Sequence, residues 1–148
     1  MEGGASNPTY GYTVIVPQGW SLRTPLDGAW ELGSQDGTAS YFIWATSDVA
    51  LDLYDFHDVG GLPMLYSFLK NHGIYEANVS ISKPLTTLGI PLMWASFSSS
   101  SFPYNTGVVK SLLLGCNAFV LLYAGWGGYS DNIGAWRLIS DSFFGSLQ

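Results

Sequence analysis

The stretch Val108-Val-Lys-Ser-Leu-Leu-Leu-Gly-Cys-Asn-Ala-Phe-Val-Leu-Leu-Tyr-Ala-Gly-Trp126 decides the fold. It is mostly apolar and has about the length of a bilayer-spanning helix. Lys110 and Ser111 lie near one end, however, and Gly115-Cys116-Asn117 divides the stretch into two apolar runs, each as long as a strand. These features predict a β-hairpin and argue against a transmembrane helix.

An antiparallel meander is predicted around this hairpin. Its four strands cover about residues 78–85, 92–98, 108–114 and 119–124. Turns at 87–90 and 115–117 join the first pair and the last pair. The ten residues 98–107 join the middle pair, and a compact domain would shorten so long a loop unless it had a use or was mobile.

Short strands are also predicted before the meander, because apolar residues alternate with others between clusters of turn residues. They cover about residues 10–16, 20–23, 29–32 and 39–45. The last of them is apolar enough to be a central strand. A polar, acidic connector follows over residues 46–58.

Two helices complete the pattern. The first is predicted to begin after Asp58 as its N-cap and to end at Gly73, where Ile74 would supply the apolar contact of a Schellman motif. The second is predicted to begin at Ser130 or Asp131. The order of elements indicates an α+β fold in which helices pack on an antiparallel sheet of about six or seven strands.

Composition excludes several classes of protein. Charged residues make up 11% of the 148 residues and aromatic residues 16%, which is incompatible with intrinsic disorder. The net charge of −6 provides no basic surface for a phosphate backbone, so we expect no nucleic-acid partner. The single cysteine, Cys116, excludes an intramolecular disulfide, a cysteine-based zinc site and an iron–sulfur cluster in the monomer.

The N-terminal segment bears on location. Residues 1–9 have neither the basic start nor the apolar middle of a signal peptide, and they are predicted to be flexible, ahead of a single domain over residues 10–148. Scarce lysine and abundant serine, glycine and aromatic residues resemble the mature part of an exported or lipid-anchored protein whose leader has been removed. We therefore expect a periplasmic, cell-surface or lumenal protein. Such a leader or lipid anchor would allow peripheral attachment to a membrane. The cytoplasm is the alternative.

The acidic connector is the candidate metal site. It contains four aspartates and an imidazole, a donor set that suits manganese, zinc or calcium, and we take Asp55, His57 and Asp58 as the candidate ligands. The connector has no EF-hand spacing and no His-Glu-x-x-His motif, and Asp58 is needed as the helix cap. We favour an ordinary solvated acidic loop without a cofactor, and metal binding is the alternative.

Catalytic motifs are missing from the sequence. The candidate nucleophiles are Cys116 and any exposed serine, and the candidate bases are His57 and His72. Nothing near Cys116 in sequence would lower the pKa of its thiol, and no Gly-x-Ser-x-Gly elbow or phosphate-binding loop occurs. We predict no catalytic residues, and a hydrolase is the less favoured alternative.

Aromatic residues in loops are the candidate binding surface. Trp20, Trp44, Trp94 and Trp136 are assigned to the core or the framework. Glycine, proline and serine instead place four other rings in loops, where they should be at least partly exposed. These rings are Phe102, Tyr104, Trp126 and Tyr129. They predict a contact with a protein, a second copy of this chain or a glycan.

The framework resembles a known superfamily. Gly11-Tyr-Thr-Val-Ile-Val-Pro-Gln-Gly-Trp20, Gly89 in the first hairpin of the meander, and Leu138-Ile-Ser-Asp-Ser-Phe143 resemble motifs of PsbP-like domains. That superfamily includes the extrinsic photosystem II subunit PsbP and a Ran-binding nuclear import factor. The resemblance covers most of the chain and implies an α/β/α sandwich, a bacterial or archaeal member, and a non-catalytic binding, accessory or assembly role with no particular partner.

Overall fold

A computed structural model describes residues 3–80, 82–127 and 129–147, without the side chains of Tyr129 and Ser130. The strands are β1 (Gly3–Asn7), β2 (Tyr12–Val16), β3 (Trp20–Leu26), β4 (Ala29–Ser34), β5 (Ala39–Ser47), β6 (Ala77–Val79), β7 (Lys83–Thr87), β8 (Ile90–Ser99), β9 (Thr106–Leu114) and β10 (Asn117–Gly125). The helical segments are α1 (Leu53–Phe56), a π-helical turn (His57–Gly61), α2 (Leu62–Asn71) and α3 (Tyr129–Ser146).

The predicted α+β architecture is confirmed. Strands β3 to β10 form one antiparallel sheet in the order β3-β4-β5-β10-β9-β8-β6, and β7 also pairs with β8. The described sheet therefore has eight strands instead of six or seven. The hairpin predicted from residues 108–126 is β9–β10, with Leu114 opposite Asn117, and β10 lies at the centre between β9 and β5.

Side chains of β10 alternate between two cores. Phe119, Leu121 and Tyr123 point into a core formed with α3 and the β1–β2 hairpin. Val120 and Leu122 point into a second core formed with α2. Because both faces of a central strand must be covered, the molecule is an α/β/α sandwich.

Several predicted boundaries are wrong. The segment taken as flexible, residues 1–9, contains strand β1, which pairs with β2 from Gly3 opposite Val16 to Asn7 opposite Tyr12. The single strand predicted over 78–85 is two strands, β6 and β7, which pair with different parts of β8. The loop predicted over 98–107 shrinks to 100–105, because β8 and β9 continue their pairing. No helix among the described residues is long and apolar enough to cross a membrane.

The first helical run begins earlier than predicted. Asp52, not Asp58, is its N-cap: the Asp52 side chain accepts a hydrogen bond from the Asp55 backbone N–H, at 2.8 Å. Asp58 lies inside the π-helical turn. At the last helix, α3 begins at Tyr129, so Asp131 lies in its first turn and not at its cap.

The π-helical turn is fixed by a buried histidine. His57 is fully buried; its Nδ1 lies 2.6 Å from the Ser111 hydroxyl on β9, and its Nε2 lies 2.9 Å from the Ser82 hydroxyl. Because a hydroxyl either donates or accepts, the two serines satisfy a neutral imidazole in either tautomer. Gly61 lies against this site, and a Cβ there would collide with the Ser111 hydroxyl. The π-helical turn thus brings one polar side chain into an otherwise apolar layer.

Burial makes His57 a source of pH-dependent stability. It lowers the pKa of His57 below its ordinary value, although the Asp58 carboxylate partly opposes the shift. The unfolded chain takes up a proton near the ordinary pKa, whereas the folded chain resists it. We therefore expect the free energy of unfolding in urea to fall as pH decreases below about 6.5, by at most about 1.4 kcal/mol per pH unit for one proton. His57→Gln should flatten this dependence, and an unchanged slope in that variant would contradict the assignment.

The end of α2 gives a second test. The predicted Schellman motif is confirmed: the Ile74 N–H donates to the Leu69 carbonyl at 2.8 Å and the Gly73 N–H to the Lys70 carbonyl at 3.0 Å. Gly73 has a φ of +73°, which disfavours any residue with a Cβ. Gly73→Ala should lower the free energy of unfolding by about 1 kcal/mol. The matched control is Gly134→Ala in α3, where an added Cβ meets nothing within 4 Å, and it should be neutral or stabilising; equal losses in both variants would refute the argument.

Candidate functional site

Three connections meet at one end of the sheet, and backbone hydrogen bonds tie them together. The Trp126 N–H after β10 donates to the Thr38 carbonyl before β5, at 2.7 Å. The Asn105 N–H before β9 donates to the Gly125 carbonyl, at 3.0 Å, and the Ser99 N–H donates to the Asn105 carbonyl, at 2.9 Å. The connections at this end therefore have a fixed backbone.

Two of the predicted aromatic side chains form a pair on these connections at the end of the sheet. Phe102 is 72% exposed and Trp126 is 36% exposed, as expected for rings in loops. Their centroids are 5.4 Å apart and their planes are inclined by 70°, an edge-to-face contact. We call Phe102 and Trp126 the aromatic rim. An exposed and mutually supported pair of large rings is the kind of surface that anchors a partner.

The expected exposure of Tyr104 is wrong. Tyr104 is only 7% exposed. Its ring centroid lies 5.1 Å from that of Phe68 on α2 and 5.1 Å from that of His72, the C-cap residue of α2. The Tyr104 hydroxyl is 2.9 Å from the Ser40 hydroxyl. The Ser99 hydroxyl donates to the Tyr104 carbonyl at 2.9 Å and so helps to hold the chain folded back against the sheet. Tyr104 therefore packs against α2 and β5 and helps to hold the loop in place. The side chain of Tyr129, the fourth predicted ring, lies outside the described part of the structure.

The acidic connector is not gathered into a site. The candidate ligands Asp55 and Asp58 are exposed, whereas His57 is buried with both ring nitrogens engaged by serines. Asp52 is occupied in capping α1. Over residues 3–80, 82–127 and 129–147, no three His, Cys, Asp or Glu side chains are grouped so that they could hold a metal ion.

The candidate catalytic groups are also separate. Cys116 is exposed in the turn between β9 and β10. His57 is bonded to Ser111 and Ser82, and the Nδ1–H of His72 donates to the Phe68 carbonyl at 2.8 Å. The hydrogen bonds of the described residues therefore pair neither histidine with the cysteine.

One feature escaped the sequence analysis. Phe42 and Trp44 on β5 stack with centroids 5.4 Å apart and planes inclined by 5°, and they form the floor of a groove of about 420 Å³ beside α2. Trp44, predicted to belong to the core, is only half-buried, because it lines this open groove between β5 and α2. The signal in the sequence was two aromatic residues at positions i and i+2 of one strand, which place them on the same face.

Comparisons with known proteins give the fold a context. No family model and no curated protein matches the sequence. Among solved structures, cyanobacterial PsbP (CyanoP) from Synechocystis sp. PCC 6803 is similar with a TM-score of 0.64 and 11% identity, over 96% of this chain and 91% of that one. The Ran-binding protein Mog1p of Saccharomyces cerevisiae is similar with a TM-score of 0.56 and 10% identity, over 94% and 84%.

A third similar structure comes from Bacteroides thetaiotaomicron VPI-5482. Its TM-score is 0.59 at 14% identity, and the match covers 96% of this chain but 48% of that one. Identities this low establish a shared fold and nothing about partners. The sandwich of α3 and the β1–β2 hairpin, the antiparallel sheet and α1–α2 is thus the PsbP-like fold that the framework motifs predicted.

Proposed function

We propose that this chain is a non-catalytic binding or accessory protein that docks a protein partner through the aromatic rim. The observation that carries the proposal is the exposure of Phe102 and Trp126 in one edge-to-face pair. Removing the apolar surface of two large rings from water lowers the free energy, so burying them against a partner would be favourable. Tryptophan and other aromatic residues also dominate the binding energy of many protein interfaces.

The rim is held in place before a partner arrives, which supports a docking role. Trp126 is fixed through its backbone by Thr38, and its carbonyl accepts a hydrogen bond from the Asn132 side chain at 3.4 Å. Phe102 is two residues from the buried Tyr104. Because these supports reduce the conformational entropy that binding must remove, more of the contact energy remains as affinity.

The non-catalytic part of the proposal is supported by the state of the candidate bases and by the composition of the rim. Each candidate base is already hydrogen-bonded within the fold, His57 to serines and His72 to a helix carbonyl. The rim itself contributes two rings without an acid, a base or a nucleophile. The PsbP-like fold of CyanoP and of the Ran-binding Mog1p is compatible with a binding role.

We further propose that the protein works outside the cytoplasm, in a periplasmic, cell-surface or lumenal compartment. The support is compositional: five Lys and Arg in 148 residues, with abundant glycine, serine and aromatic side chains. Fractionation of the source cells with an antibody against this chain should place it in the envelope or lumenal fraction. Recovery from the cytosol alone would overturn this part of the proposal.

The docking role is tested by removing the rim without touching its support. A Phe102→Ser, Trp126→Ser double variant leaves Tyr104 in place, so we expect little change in thermal unfolding. Loss of two anchor rings costs about 2 kcal/mol each, so affinity for any partner captured from an envelope extract should fall by roughly 700-fold. Calorimetry with the purified partner measures this loss.

The matched control changes two exposed apolar residues away from the rim. Leu26 is 69% exposed and Tyr54 is 58% exposed, so Leu26→Ser, Tyr54→Ser removes a similar amount of exposed apolar surface. This variant should retain the partner. If the two double variants lose the partner equally, or if neither does, the aromatic rim is not the docking site. If the wild type captures only itself and sediments as a dimer, the partner is a second copy.

A further inference from the structure

A second concave site lies beside α3, on the opposite face of the sheet from α2. It is a cleft of about 240 Å³ between α3 and the strands β7, β9 and β10. Its apolar wall includes the rings of Tyr123 and Phe144, and its polar groups include Lys110, Arg137 and Asp141. Neither ring of the aromatic rim lines this cleft.

Lys110 is an unusual residue for its position in the sheet. It lies on β9 between two apolar strands, and its ammonium group rests on aromatic rings, 5.3 Å from the Tyr123 centroid and 6.0 Å from the Phe144 centroid. No described carboxylate lies within 4.0 Å of that ammonium group. Burial lowers the pKa of Lys110, and Asp141 partly opposes the shift. The ammonium group of Lys110 therefore has no direct ion pair with a described carboxylate, and an anionic ligand could provide one.

Other positive charges lie near Lys110, although the chain is acidic. The chain has only five Lys and Arg residues and a net charge of −6. Arg137 lines the same cleft, and Lys83 follows on the same face of the sheet, because Lys83 pairs with Trp94 and Trp94 pairs with Lys110. Asp141 is the one carboxylate in the lining. The cleft is therefore locally positive.

We infer that this cleft binds a small organic monocarboxylate, with its carboxylate between Lys110 and Arg137 and its apolar body against Tyr123 and Phe144. Lys110 and Arg137 against Asp141 leave one positive charge in the lining, which a single carboxylate neutralises and a dianion would exceed. The planar guanidinium group of Arg137 suits a carboxylate, and the Thr87 hydroxyl in the wall supplies a further donor. The apolar wall favours a ligand with a ring over a bare inorganic anion.

Benzoate is the probe, and benzamide is its neutral counterpart of the same shape. In NMR titrations of the full chain, benzoate should saturate with a Kd of about 1 mM or tighter and should shift the signals of Lys110 and Arg137. Benzamide should bind roughly tenfold more weakly, because it carries no charge. Absence of saturable benzoate binding, or equal binding of benzamide, overturns the inference.

Variants locate the site. Lys110→Met and Arg137→Met should each weaken benzoate binding roughly tenfold, whereas Lys70→Met on α2 serves as the matched control and should leave it unchanged. Arg137 is exposed, so Arg137→Met decides the question if Lys110→Met fails to fold. Equal losses in the Lys70 and Arg137 variants would indicate non-specific charge attraction and refute the site. Tighter binding of inorganic phosphate than of benzoate would refute the monocarboxylate class.

The outcome is independent of the aromatic rim. The Phe102→Ser, Trp126→Ser variant should bind benzoate as the wild type does, because neither ring lines the cleft. A loss of benzoate binding in that variant would contradict the proposed location of the site.

Discussion

The rest of the structure depends on the burial of β10 on both faces. Residues 118–125 are all buried, and their side chains alternate between the two cores. A strand that is apolar on both sides leaves large surfaces in water unless a layer covers each face, and full burial of one large apolar side chain contributes about 1.5–3 kcal/mol. This requirement accounts for α3 and the β1–β2 hairpin on one face and α1–α2 on the other.

The groove and the cleft lie beside the covering helices, on opposite faces of the sheet. On one face the groove lies between α2 and β5, where Phe42 and Trp44 are half-buried. On the other, α3 reaches as far as β9, and the cleft around Lys110 lies at its margin. The aromatic rim differs from both, because it lies where the connections between strands emerge at one end of the sheet.

Polar contacts between distant residues set the details of the helical layer. His57 reaches Ser111, which is 54 positions away, and Ser82, which is 25 positions away. His57 lies at the start of the π-helical turn, and Gly61 in the same turn leaves room for the Ser111 hydroxyl. Serine partners let the histidine stay neutral in an apolar layer, where a charged imidazole would be costly. The connector therefore holds the helical layer to the sheet.

The sequence by itself determined the features that depend on neighbours along the chain. Two strand-length apolar runs divided by a glycine turn predicted β9–β10, Gly73 and Ile74 predicted the end of α2, and loop residues predicted the exposure of Phe102 and Trp126. Only the tertiary structure decided the rest. Asp52 caps the first helical run, while His57 within that run bonds to distant serines, and Tyr104 is buried because Phe68 and His72 lie beside it. Lys110 and Arg137 share a cleft only after α3 packs on the sheet; local patterns carry no information about such contacts, because packing brings together residues far apart in the chain.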